Sequence, residues 1–253
     1  MGSKYLVLFE PNDFSFVAAY LAAGRMGVAI PIDESLLGSL KDLIDSLSPK
    51  FLTVVCSPKW LCNWFNGLPI ITYVYKSCLD SDGLIRVNVG FISAFSPVDA
   101  SFTVASSLFY NSLSFDGENR MLLVSMVSVL SLAWKVSRVA LLSNISPVFL
   151  VESSNLSGRS FLSEISRGYK LVYINLHGNP FAMATDPYGE DIIVLSDCIP
   201  RLPPSVIVTF SCETCGFHMI KSPEASVALG FISRGAVAYI GAMTLEYGGG
   251  EVS

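Results

Sequence analysis

A chain of 253 residues is long enough to bury a sizeable core without disulfide staples. Its net charge is −5, charged residues are 15% of the total and no run of basic residues occurs, which excludes an electrostatic nucleic-acid footprint. Mean hydropathy is +0.54, but the uncharged run 121–134 is closed by Lys135 and Arg138, below the ~18 residues a spanning helix needs, so no membrane span is expected.

Only five apolar residues follow Lys4 before Glu10 and Pro11, too few for a signal-peptide core, so no leader is expected. Residues 5–9 read as a strand, and Asp13 is placed to cap the helix that follows, with Val17, Leu21 and Gly24 near one face. Residues 28–32 are the next strand. Over 35–47, Leu36, Leu37, Leu40, Leu43, Ile44 and Leu47 fall at helical spacing opposite Lys41, Asp42 and Asp45, with Pro49 just beyond, which predicts one helix. Residues 51–56 and 70–75 read as two more buried strands, and the alternation argues a parallel, doubly wound sheet. Ser96-Pro97 starts a helix whose inward face is expected to carry Val98, Phe102, Ala105 and Phe109 and which ends near Leu113. The turn-prone Asp116-Gly117-Glu118-Asn119 marks the expected boundary between an N-terminal α/β subdomain, 1–115, and a second subdomain, 116–253.

In the second subdomain the reading is a strand over 121–126, a largely buried helix over 127–142, a strand over 147–151 and a helix over 161–167 closed by Gly168. Two apolar runs follow, 170–176 and 205–210. Ser222 is placed to cap a helix with Pro223 at its first position, Ala225, Ala228, Leu229 and Ile232 facing the sheet, and Gly235 at its end; 236–240 is the last strand. Gly248-Gly249-Gly250 is not a phosphate loop, because no Lys-Ser/Thr pair or helix follows it.

The chemistry is concentrated where the two apolar runs stop. Neither has a polar face, so both read as central strands of a covered parallel sheet; one ends at His177, the other at Cys212. Parallel neighbours end on one rim, where the crevice of an open α/β sheet lies, so an imidazole and a thiol would face each other there. A lone histidine is more often structural and a lone cysteine more often an inert core residue, and it is the pairing that singles these two out as nucleophile and acid/base. Gly178, lacking a Cβ, lets its N–H approach a ligand closely.

Other arrangements remain open at this point. Cys212-x-x-Cys215-x-x-His218 together with His177 offers two thiolates and two imidazoles for a tetrahedral zinc site. Cys212 and Cys215 also form a Cys-x-x-Cys pair able to close to a disulfide. The other cysteines, Cys56, Cys62, Cys78 and Cys198, follow no framework spacing and read as reduced thiols. Glu152, Asp186, Asp191 and Asp197 are the carboxylates available to orient His177. No Gly-x-Ser-x-Gly elbow occurs, so a serine triad is unsupported.

The succession of apolar strand, His-Gly, spacer, apolar strand and Ser-Cys resembles the gingipain family of cysteine peptidases, relatives of the caspases. Residues 161–177 resemble that family's entry of helix, Gly, strand and His. Residues 223–242 resemble its following helix and strand, and 87–110 its link between subdomains. The resemblance covers roughly the whole chain, with only the His-Gly and Ser-Cys blocks specific. It implies an α/β caspase and gingipain type of fold, with mostly parallel sheets, helices on both faces and two coupled subdomains. It also implies a cysteine endopeptidase that acts on a protein or peptide substrate through a thioester, with His177 and Cys212 as the dyad. The backbone N–H groups of Gly178 and Cys212 would form the oxyanion hole, no cofactor enters, and the family is largely exported. In such peptidases an acidic pocket residue selects Arg or Lys; Glu213, Asp186 and Glu190 are placed for this. The chain departs from the family at Phe91, where many relatives carry arginine, and in stopping soon after the 236–242 stretch. The rival reading is a non-catalytic or zinc-stabilised binding module of the same fold.

Overall fold

Strand and helix alternate through both halves of the chain, as short apolar runs separated by amphipathic ones require. The computed structural model describes residues 4–11, 13–110 and 119–244 and divides into two units, Met1–Leu108 and Phe109–Ser253. The expected boundary at 115/116 and the helix end near Leu113 fall on residues outside the described ones, as does the triple glycine at 248–250.

The first unit runs β1 (Tyr5–Phe9), α1 (Ser15–Gly24), β2 (Val28–Pro31), α2 (Glu34–Gly38), α3 (Leu40–Leu47), β3 (Phe51–Cys56), α4 (Pro58–Leu61), β4 (Trp64–Phe65), β5 (Leu68–Pro69), α5 (Ile70–Ser77), β6 (Asn88–Ser93) and α6 (Pro97–Phe109). Its sheet is parallel in the order β2-β1-β3-β6. Val7 and Val55 pack against Val17, Ala18, Leu21, Ala100 and Val104 of α1 and α6. Leu6, Leu8, Leu52 and Val54 alternate with them and are buried on the opposite face.

Four expectations change here. The apolar run at 70–75 is helix α5, not a strand: Ile70, Ile71 and Val74 are buried at helical spacing after the chain turns through Pro69. So short a run does not separate the two periods. The single helix expected over 35–47 breaks at Ser39 into α2, capped by the Asp33 carboxylate, and α3. Helix α1 begins after Phe14, with no side-chain cap from Asp13. Helix α6 starts at Pro97 but lies the other way round, burying Ala100, Thr103 and Val104 and exposing Val98 at 77% and Phe102 at 54%. Its small face sits closer to the sheet, so the large residues point out.

The second unit runs β7 (Arg120–Ser125), α7 (Leu130–Leu142), β8 (Ser146–Val151), α8 (Gly158–Ile165), β9 (Leu171–Asn175), β10 (His177–Gly178), β11 (Ala182–Ala184), β12 (Ile192–Leu195), β13 (Ser205–Thr209), α9 (Val227–Ser233) and β14 (Ala236–Ile240). Its main sheet has the order β14-β13-β9-β7-β8, all parallel, with helices on both faces. Leu122, Val172, Ile174 and Ile207 pack with Phe161 and Ile165 of α8 and Val227 and Phe231 of α9. Met121, Leu123 and Tyr173 pack against Ala133 and Ala140 of α7. The helix expected to be largely buried over 127–142 instead shows Trp134, Val139, Leu141 and Leu142 to solvent, again with small residues inward. Ser226, not Ser222, caps α9; the stretch Pro223–Ala225 before it is a separate 3-10 turn. Among the described residues no helix is long and apolar enough to cross a membrane.

Successive connections carry the chain from β7 to β8 on one side and from β8 back to β9 on the other. The order therefore reverses between β7 and β9, and the crevice of such a sheet lies beyond the carboxyl ends at that reversal. Strand β9 ends there two residues before His177.

Candidate active site

Adjacent parallel strands β9 and β13 fix the level of the two reactive side chains. Leu171 lies opposite Val206 and Ile174 opposite Thr209, an offset of 35 residues. His177 and Cys212 are separated by the same 35, each three residues beyond the last paired residues Ile174 and Thr209. Both are half-buried on the carboxyl rim. Below them the rings of Tyr173 and Phe210 lie 5.5 Å apart. Neither run betrays this offset; it belongs to the ladder.

Beyond β9 the chain turns back as the β10–β11 hairpin. The Asn179 carboxamide oxygen closes it, accepting the Phe181 and Ala182 N–H groups at 2.8 and 2.9 Å, while the Asn179 N–H donates to the Ala182 carbonyl at 3.0 Å. Antiparallel rungs alternate, so the Gly178–Met183 pair one residue on is a non-hydrogen-bonded one and the Gly178 N–H points off the hairpin ladder. A Cβ at 178 would come 2.7 Å from the Ser211 Cβ and 2.9 Å from the Cys212 carbonyl oxygen. Glycine alone lets the hairpin rest on the turn that carries Cys212.

That turn is held from below and from the side. The Ser211 N–H donates to Thr209 Oγ1 at 3.0 Å, and the Thr214 hydroxyl donates to the Ser211 carbonyl at 3.4 Å. Glu213, beside Cys212, has φ 54°, a left-handed conformation that costs a non-glycine residue about 1–3 kcal/mol. Backbone bonds on both sides fix it: its N–H donates to the Thr244 carbonyl at 3.1 Å and its carbonyl accepts from Gly216 at 2.7 Å. The Cys215 N–H donates to the Ala242 carbonyl at 2.8 Å. Gly241 allows this approach, since a Cβ there would lie 2.6 Å from Thr214 Oγ1. Sequence reasoning passed over this scaffold, although the hydroxyls of Thr209, Ser211 and Thr214 in an otherwise apolar run were its signal.

The other sequence candidates are not drawn to His177 by any hydrogen bond or ion pair among the described residues. Glu152 accepts the Val127 N–H at 3.0 Å, Asp191 takes the Thr185 hydroxyl, and Asp197 bonds the neighbouring Cys198 thiol. Asp186 accepts from the Asp191 and Tyr188 N–H groups at 2.6 and 2.8 Å. Those N–H groups, that of Asp191 foremost, hold its carboxyl below the usual range. Asp186 and Glu190 lie in the exposed β11–β12 loop, whereas Glu213 is half-buried next to Cys212. The zinc arrangement does not form: among the described residues no three His, Cys, Asp or Glu side chains lie close enough together to hold a metal ion.

Cys215 has a different environment from Cys212. Part of the residue reaches solvent, but burial of its thiol pushes the pKa up to about 12, with the Gly241 N–H pulling the other way. Desolvation likewise raises Cys56, and raises Cys78 to about 11 against the pull of Arg86 and Lys41. Unfolded thiols titrate near 8.5, so above that pH the unfolded chain loses protons that the folded chain keeps. Stability carried by these thiols is complete below about pH 8.5 and is lost progressively as pH rises toward 11–12. In reductant, the urea midpoint should fall from pH 8 to pH 10, and Cys215→Ala should fall less steeply; equal slopes would remove Cys215 from this account.

No family model and no curated protein matches the sequence. Solved structures match its fold. The complex of the pro- and mature domains of RgpB from Porphyromonas gingivalis aligns with a TM-score of 0.68 at 10% identity, over 96% of this chain and 64% of that one. The Arg-specific cysteine proteinase gingipain R aligns with a TM-score of 0.70 at 11% identity, over 97% and 64%. A third structure, described only as a protease, gives 0.66 at 15% identity, over 96% and 60%. This chain thus spans less than two thirds of the length of each. Its fold is gingipain-like: a caspase-type α/β architecture of mostly parallel sheets.

Proposed function

We propose that the chain is a cysteine endopeptidase whose catalytic machinery lies in its second half, 116–253, and whose substrate is a protein or peptide. The observation that supports this reading is the shared 35-residue interval: β9 and β13 pair at an offset of 35, and His177 and Cys212 are 35 residues apart just beyond the carboxyl ends of those strands. The likeness of fold to gingipain R agrees with it.

In this mechanism the Cys212 thiol gives its proton to His177 and the sulfur attacks the scissile carbonyl carbon. The developing oxyanion is held by the Gly178 and Cys212 N–H groups. Collapse breaks the C–N bond, and His177 returns the proton to the leaving amine, which leaves a thioester on Cys212. Water, deprotonated by His177, then attacks the thioester and frees the acid and the thiol. Proximity and orientation supply much of the acceleration, which is why the ladder that fixes both residues matters.

Incubation with a panel of peptidyl acyloxymethyl ketones, followed by intact-mass and fragment analysis, tests the reading. The expected result is one equivalent on Cys212, slowed by an excess of competing peptide substrate and absent from denatured protein. Labelling spread over several cysteines, or none at Cys212, removes the endopeptidase assignment.

A further inference from the structure

Rungs of the β9–β13 ladder follow a regular alternation up to a definite point. The Val206 N–H donates to the Lys170 carbonyl at 3.1 Å, and four residues later the Phe210 N–H donates to the Ile174 carbonyl at 2.9 Å. The next rung of that pattern would join the Leu176 N–H to the Phe210 carbonyl. It is missing. The Leu176 N–H donates instead to the Ser211 side-chain hydroxyl at 3.3 Å, and Ser211 is fully buried.

A hydroxyl reaching in from the following residue has replaced a main-chain carbonyl. Consequently β13 is free to turn away after Phe210, with the Ser211 N–H folded back onto Thr209 Oγ1, while no buried donor on β9 is orphaned. The two strands part here, one residue before His177 and one before Cys212. On the other side the Ser211 Cβ abuts Gly178. One side chain thus spans the fork between the strands and supports the hairpin that bears the Gly178 N–H.

We propose that Ser211 is a positioning residue, its hydroxyl setting the gap and the level at which His177 and Cys212 meet a substrate carbonyl. This rests on the endopeptidase reading, and it adds a residue to which that reading assigns no role. Without the hydroxyl, Leu176 regains a partner only if β13 closes up on β9, which narrows the fork and tilts the hairpin.

The test compares Ser211→Ala with Ser226→Ala in the full chain. Ser226 is a matched control: its buried hydroxyl accepts the Leu229 N–H at the same 3.3 Å, at the start of α9. Both substitutions should lower the urea midpoint by similar amounts. Per titrated active site, Ser211→Ala should lower kcat at least 10-fold, with KM within about 3-fold, and should displace the pH profile of Cys212 alkylation by iodoacetamide, because the protonic coupling of the pair depends on the gap. Ser226→Ala should leave kcat and that profile unchanged. Should Ser211→Ala not fold, Ser211→Cys, which keeps a weak sulfur acceptor, is read by turnover alone and should show an intermediate loss. Native kcat and pH profile in either Ser211 variant, with wild type active, overturn the positioning role only. Wild type inert toward peptidyl ketones overturns the endopeptidase reading and this role with it.

Discussion

Cys212→Ala should lower peptide hydrolysis by on the order of 10³ to 10⁶ while the urea midpoint stays close to that of wild type. The residue is only half-buried, so truncating it should cost less stability than a core substitution. On the proposed mechanism the covalent route itself disappears, because alanine cannot form a thioester. His177→Ala should cost about 10² to 10⁴, because the nucleophile survives but its proton acceptor and the acid for the leaving amine do not. Groups that act as a unit are not additive, so the double variant should be no slower than Cys212→Ala alone. Turnover of a quenched peptide library, normalised to folded protein, checks all three; wild-type turnover in Cys212→Ala would end the nucleophile assignment.

Gly178→Ala is expected to be nearly as damaging by another route. The new methyl would be 2.7 Å from the Ser211 Cβ and 2.9 Å from the Cys212 carbonyl oxygen, closer than real side chains come. Relief requires moving either the hairpin or the buried turn beneath it, so destabilisation of about 1–3 kcal/mol is expected. Activity should fall further than stability explains, by about 10² or more, since the displaced N–H no longer meets the oxyanion. Urea denaturation together with kcat on titrated sites separates the two effects. A variant with native stability and native kcat would show that the hairpin does not lean on the Cys212 turn.

Much of the architecture was readable in the amino-acid order. Strands β3, β9, β13 and β14 are nearly continuous apolar runs bounded by polar or small residues, and a buried parallel strand has few other ways to look. Where the reading failed, the physics was degenerate. Helix α5 is a short β-branched run whose period is undetermined. In α6 and α7 the helical period marks two faces, and packing distance, not hydrophobicity, chose the small one for the interior. The Asn66-Gly67 turn of β4–β5, with φ of 48° and 73°, carried a clear signal in its dipeptide and was passed over. At the site the residue types and the strand ends were legible. The strand offset, the Ser211 bridge and the brace from residues 242–244 were not, because each depends on which strands become neighbours.

That brace reaches well past the chemistry. Cys215 and Glu213 hang by their amides from the carbonyls of Ala242 and Thr244, on the chain leaving β14, an outermost strand of its sheet. Displacement of residues 242–244 would therefore reach Cys212 through these two backbone bonds. The turn that carries Cys212 is thus tied, through two amides, to the segment that follows an edge strand.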